Sequence, residues 1–380
     1  MVNKRTLQKA QISVKMAKVN DITTYLEEWA PRAYQESYDN SGLITGNPNT
    51  TVNGILTTLD CTEAIVDEAI ARNCNLIVAH HPILFLGLKK LTGSNYVERT
   101  LIKAIKNDIC IYAIHTNLDN VHSGVNAKIA NKLGLINTRI LAPKRGLLSK
   151  IEAFVPQKDS AYVLQALHKA GAGNIGNYSQ CSFRLAGTGT FLPNEKANPA
   201  IGRQQVQEEV QEDKLELIFP SHLQHSILSA LKAAHPYEEV AYYVQQLENQ
   251  HQEVGSGQIG QLASPLSSEE FLSHVKSKMN LSVIKHTELT SDRIETVAVC
   301  GGAGSFLLQN ALKAKADAFI TSDFKYHEFF DAEGKIMIAD IGHYESEVYT
   351  KDLICEYIRE NFPNIATYLS EVNTNPVQYF

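Results

Sequence analysis

Three short apolar runs occupy residues 54–114: GILTTLD (Gly54–Asp60), LIVA (Leu76–Ala79) and IYAI (Ile111–Ile114). Helical patterns separate them. Thr62 can cap a helix running through Ala71, and a second helix is expected near Glu98–Lys106. A third, Val125–Leu133, stops at Gly134. Apolar β-rich runs alternating with helices imply a sheet with helices on both faces, that is, an α/β fold. Upstream, a helix is expected over Ile22–Trp29, followed by a loop, YDNSGLITG.

The texture changes near Ser149. A strand (KIEAFVP), a helix (Ser160–Ala170), a glycine-rich loop-and-strand stretch, a strand (KLELIFP), a helix (Ser221–Ala234) and a strand (EEVAYYVQQL) follow. That order is β-α-β-β-α-β, the order of a ferredoxin-like α+β unit. Around Gln250–Gly257 the chain turns polar and glycine-rich, as a domain boundary would. The α/β texture then resumes: a helix (Glu269–Met279), strand and turn TVAVCGG, a helix (Ser305–Ala314), strands AFITS and IMIADI, and a long terminal helix over His343–Glu360. The segments ILTTLDCTEAIVDEAIARNCNLIVAHH and VAVCGGAGSFLLQNALKAKADAFITSD share one pattern of strand, turn, helix, strand and polar pair. The expected architecture is two related α/β halves forming a layered core, with an inserted ferredoxin-like domain. Its parts are a tail over 1–15, a first half over 16–148, the insert over 149–248 and a second half over 249–380.

Composition narrows the function. Of 380 residues, 35 are Lys or Arg and 41 are Asp or Glu, a net charge of −6, so nucleic acid is disfavoured as the main partner. No apolar run reaches the ~20 residues that cross a bilayer. The six cysteines (61, 74, 110, 181, 300 and 355) form no CxxC pair. They read as reduced core thiols of a cytoplasmic protein.

Chemistry-bearing groups gather at the ends of the expected strands. His80-His81-Pro82 follows LIVA, His115-Thr116-Asn117-Leu118-Asp119 follows IYAI, and Asp340-Ile341-Gly342-His343-Tyr344-Glu345-Ser346-Glu347 follows IMIA. Taken singly, each has a plain alternative: solvated histidines, an Asx-type turn, or an acid-rich helix start. Parallel strands bring such ends to one sheet edge, and His343 and Glu347 stand at i and i+4 of a helix. His80, His81, Asp119, His343 and Glu347 together exceed what one catalytic ion takes from protein. They suit two divalent ions bridged by Asp119, with open positions for water. Nitrogen and oxygen ligands without thiolate suit Zn, Fe, Mn, Co or Ni. Ser322-Asp323-Phe324-Lys325-Tyr326-His327-Glu328 follows AFIT, offering His327 as a proton shuttle and Asp323 as an orienting carboxylate. Gly301-Gly302-Ala303-Gly304-Ser305 reads as a tight turn or a weak phosphate cradle.

These segments resemble the NIF-three-like family of dinuclear-metal hexameric proteins, often named GTP cyclohydrolase I type 2 homologs. The resemblance rests on YDNSGLITG, VAHHP, HTNLD, GSGQIG, CGGAGS, TSDFKYHE and ADIGHYESE, and covers nearly everything after Met16. GNIGNYSQCSF, GTGTF and HPYEEVAYYV are similar to the insert of the longer bacterial members, which is PII- and CutA-like. The resemblance implies a toroidal homohexamer capped by its inserts. It implies metal ligands at His80, His81, Asp119, His343 and Glu347, with Glu345 the second choice for the last. His80 and His81 would sit on different ions and Asp119 would bridge. His115, Tyr326 and His327 fall near the site. Two functions follow. One is a metal-dependent hydrolase acting on a nucleotide-like small molecule, with His327 or His115 moving protons. The other is a non-catalytic hexameric metal- or ligand-binding regulatory assembly.

Overall fold

A computed structural model describes residues 16–288 and 293–380; the expected tail over 1–15 lies outside the described residues. Two mixed sheets form the core. In the first, strands 54–58, 76–79 and 110–113 run parallel, and the order across the sheet is Gly42–Thr45, Cys110–Ala113, Leu76–Ala79, Gly54–Thr58, Ala366–Leu369. In the second, strands Ile294–Ala303, Ala318–Ser322 and Met337–Asp340 run parallel. Strands Gln250–Leu266 and Leu135–Arg145 extend it antiparallel on one side, and Lys285–His286 on the other.

Successive strand residues face opposite ways, and both faces are buried. Ile55, Leu76 and Val78 point into a central core shared with the second sheet's Val297, Val299 and Ile320. Leu56, Ile77 and Ala79 point outward, beneath helices Glu63–Ala71 and Tyr96–Lys106. Ala298, Cys300 and Phe319 face outward on the second sheet, against helix Leu308–Lys313. Helices Val19–Trp29, Val125–Leu133 and Thr350–Asn361 supply Ile22, Ile129 and Ile354 to the shared core. The outcome is a layered α/β core, as the sequence implies.

The insert has its own four-stranded antiparallel sheet, ordered Phe183–Phe191, Glu208–Pro220, Leu148–Pro156, Tyr242–Leu247. Numbered along the chain, that is 2-3-1-4, the ferredoxin-like order. Its core is separate and includes Ile151, Val163, Leu215, Phe219 and Ile227.

Three expectations need correction. The polar, glycine-rich stretch at 250–257, expected as a domain boundary, is the start of a 17-residue strand. Its register with Leu135–Arg145 is broken by irregularities, and Gly255 sits opposite Pro143, where a Cβ would come within 2.2 Å of the Ala142 carbonyl. Glycine permits that approach and at the same time hides the strand signal. The terminal helix is two helices, His343–Glu347 and Thr350–Asn361. Finally, the loop YDNSGLITG contains the edge strand Gly42–Thr45.

Candidate metal centre

Each parallel strand ends at one edge of its sheet, and the two edges face a common cleft of about 630 Å³. From the first sheet come Asp60, His80, His81 and His115. From the second come Gly301 and Gly302 at the end of strand Ile294–Ala303 and the helix His343–Glu347, with Asp323 behind His343.

His80 is fully buried, and its Nδ1 bonds the Ile114 carbonyl at 2.8 Å. This fixes the ring and aims Nε2 at Asp119 Oδ1, 3.6 Å away. Glu347 Oε1 lies 3.9 Å from the same nitrogen. Neither His80 Nε2 nor Asp119 Oδ1 has a hydrogen-bond partner, although both are buried. His81 turns the other way. Its Nδ1 meets Asp60 Oδ1 at 2.7 Å and its Nε2 meets Glu347 Oε2 at 2.9 Å. His343 mirrors it, with Nδ1 on Asp323 Oδ2 at 2.7 Å and Nε2 on Glu347 Oε2 at 3.0 Å.

The donors form three groups, His80–Asp119–Glu347, His81–His343–Glu347 and His80–His81–His115. Glu347 is common to the first two, one carboxylate oxygen facing each. The sequence reading gives the bridging position to Asp119, which here faces only the His80 group. An i, i+4 helical pair from one sheet reaches between two adjacent histidines from the other, and no local pattern announces that. Glu345 points away and accepts from Asn375 Nδ2 at 2.9 Å.

The electrostatics follow from burial and partners. Desolvation pushes the His80 imidazole down to about 4, so it is neutral. Burial works against a charged His81 too, but Asp60 and Glu347 outweigh it and lift it to about 10. His343 rises to about 9 because Glu347 and Asp323 overcome its desolvation. Burial and the neighbouring Glu347 charge hold the Asp119 carboxyl well above the usual carboxylate range. Burial opposes ionisation of Glu347 as well, yet the imidazoles of His343, His80 and His81 hold it well below that range.

His115 joins this cluster, its ring 5.3 Å from that of His80 and 5.4 Å from that of His81. Asp39 holds its Nδ1 at 2.8 Å, leaving Nε2 for the cleft. Asp39 also accepts from Thr116 Oγ1 and N and from Ser41 Oγ. His327 is not brought in. It stands exposed on the 3-10 helix Tyr326–Ala332, its ring against Tyr326 and Phe330. Asp323, by contrast, takes the orienting place expected of it.

Sequence reasoning missed Asp60 and Asp39. Asp60 had a signal, since it too follows a parallel strand end. Asp39 lies in YDNSGLITG, one of the segments that carry the resemblance, but 76 residues from His115, so no local spacing ties the two together. Gly301 and Gly302 are the end of strand Ile294–Ala303 rather than a tight turn, and their N–H groups go to Asn126 Oδ1 and Ser346 Oγ, which leaves neither for an anion. The role of Gly302 is clearance: a Cβ on this residue, whose φ is +61°, would lie 2.5 Å from Glu347 Oε1.

Fold and pocket together define a layered α/β protein whose two sheet edges present clustered imidazoles and carboxylates able to bind metal. The chain belongs to the DUF34/NIF3 (NGG1p interacting factor 3) family, whose model matches residues 17–376. It is 37% identical over 372 residues to the GTP cyclohydrolase 1 type 2 homolog of Halalkalibacterium halodurans, covering 96% of this chain and 100% of the relative. The protein of the same name from Bacillus subtilis is 34% identical, with 94% and 97% covered. Among solved structures, a Bacillus cereus protein related to NIF3 superposes with a TM-score of 0.86 at 37% identity, over 96% of this chain and 100% of that one. A Staphylococcus aureus protein matches with a TM-score of 0.77 at 29% identity, over 96% and 99%.

Proposed function

We propose that this chain holds two divalent metal ions and uses them to hydrolyse a nucleotide-like small molecule. The observation that carries the metal reading is the pair of buried, unpartnered atoms His80 Nε2 and Asp119 Oδ1, 3.6 Å apart. Burying such groups unsatisfied costs about 1–3 kcal/mol each, and a shared cation removes that cost. His80, Asp119 and Glu347 would hold one ion; His81, His343 and Glu347 would hold the other. Zn, Fe, Mn, Co and Ni all suit this donor set. Bound there, such ions would supply Lewis acidity and acidify water toward neutral pH.

The remaining roles belong to the chain. Asp60, Asp323 and the Ile114 carbonyl fix ring orientation and tautomer for His81, His343 and His80. His115, steadied by Asp39, is placed to accept or return a proton at the cleft wall. Tyr38, Phe85 and Phe306 stand exposed around the cleft, as flat rings suited to a purine. That cleft, and the cyclohydrolase name carried by the relatives, favour a purine nucleotide as substrate. Opening its imidazole ring requires water at C8. A homohexamer is part of the same proposal, and its solution mass would be six times the 42.1 kDa chain.

Elemental analysis of the purified wild type is the first test. About two ions per chain are expected. Glu347→Ala should lose both and Asp119→Ala mainly one. A wild type that takes up none after incubation with divalent salts would refute the centre. Hydrolysis is tested with GTP and other nucleotides on the metal-loaded protein; turnover unchanged in His81→Ala would refute the chemistry while leaving the metal reading intact.

A further inference from the structure

The insert carries a second cavity, sharing no lining residue with the metal cleft. On strand Glu208–Pro220, Leu215, Leu217 and Phe219 face the insert's helices and core. Glu212, Lys214 and Glu216 therefore face the open side of the sheet. At one end of that side, residues 192–201 and Tyr237 enclose about 390 Å³. The walls are apolar, including Phe154, Phe191, Leu192, Pro199 and Ile201.

A carboxylate lies within these walls. Glu212 is 8% exposed, and its Oε1 accepts from the Tyr237 hydroxyl at 2.9 Å. Among the described residues no hydrogen bond or ion pair reaches its Oε2. That oxygen occupies the space a side chain at Gly189 would fill, where a Cβ would lie 2.0 Å from it. Glu238 and Glu239 also line the cavity, and no Lys or Arg does. The lysines on the same sheet face, Lys150 and Lys214, are already paired with Glu152 and Glu216. One oxygen of this acid is committed to Tyr237 and the other lies open at the cavity with no basic side chain lining it, so a cation from outside would meet an unopposed charge there.

We propose that this cavity binds a small organic cation: a primary ammonium on an apolar, preferably aromatic, body. The ammonium would meet Glu212 Oε2. The body would lie against Phe191 and Tyr237, whose rings are 5.8 Å apart and attract cations as well as apolar surface. The volume is at the small end of ligand pockets, which favours an amine of one or two rings over a nucleotide. This site stands independently of the reading of the metal centre.

The test uses the full chain and three matched probes: tryptamine, its neutral isostere 3-ethylindole and the acid indole-3-propionate. Titration calorimetry should give tryptamine a Kd below about 1 mM, with the other two at least about tenfold weaker. Glu212→Gln keeps the size and the tyrosine bond but removes the charge, and should weaken tryptamine at least about tenfold. Ile201→Trp fills the cavity from its loop and should abolish binding, which secures the result should Glu212→Gln fold poorly. Metal content should be unchanged in both. The proposal is overturned by tryptamine failing to bind at about 5 mM, by 3-ethylindole binding equally well, or by either folded variant binding like wild type.

Discussion

His81 shows how much a neighbour can do to a single side chain. Buried imidazoles are normally driven neutral, as His80 is, yet Asp60 and Glu347 keep His81 protonated up to about pH 10. Because its pKa is raised on folding from about 6.5, the stability this adds is complete below about pH 6.5 and fades as the pH climbs through 10. A metal ion requires the neutral ring, so loading must expel protons and tighten as the pH rises. Calorimetric metal titrations in buffers of different ionisation enthalpy should show release of at least one proton per chain. Heats independent of the buffer would contradict this. Asp60→Asn removes the carboxylate that holds Nδ1, and should weaken metal binding about 10- to 100-fold in chelator competition. An affinity within twofold of wild type would show that Asp60 positions nothing.

Among the elements, the loop before helix Tyr96–Lys106 is governed by one acid. Glu98 accepts from Thr92 N and Oγ1, Ser94 N and Oγ, and Asn95 Nδ2, while Asn95 caps the Glu98 N–H. The bonds from the Thr92 and Ser94 backbone lead in lowering its pKa to about 2. The contribution is present above the ordinary carboxylate range and lost as the pH falls through about 2. Glu98→Ala should therefore lower the Tm at pH 7 and speed proteolysis between residues 86 and 95, with little effect on the Tm near pH 2. Identical proteolysis rates would count against the loop's dependence on it. Asn95-x-x-Glu98 is a visible helix-start spacing, but the grip of Glu98 on Thr92 and Ser94 is not, because it depends on backbone groups that only the folded chain aligns. The buried parallel strands were legible for the opposite reason: Leu76–Ala79 and Ala318–Ser322 are covered on both faces, so their apolar runs begin and end with the strands themselves. Strands 135–145 and 366–369 escaped notice, since each is an edge strand with several polar, half-exposed positions. The metal-binding candidates were readable because strand ends converge by topology. Which carboxylate lies between the two groups was not, because it depends on how two sheets, far apart in sequence, face one another.

At the scale of the whole molecule, the separate cores matter most. The insert's Phe219 is fully buried among Ile151, Leu215 and Leu231, none of which belongs to the main core. Phe219→Ala should cost about 3–5 kcal/mol. The loss should fall on the insert, giving an earlier unfolding transition while metal content stays at the wild-type level. A single transition shifted as a unit, with metal lost in parallel, would show the two bodies to be energetically one.

The strand Ala366–Leu369 pairs in parallel with Gly54–Thr58, more than 300 residues earlier. The sheet that carries His80 and His81 is thus finished by a strand synthesised more than 300 residues after its neighbour. During synthesis the early half waits with one border open, and His343 and Glu347 have yet to be made. Cations can be captured as a set only once residue 347 has been made, so products stopped before it would emerge unable to hold them.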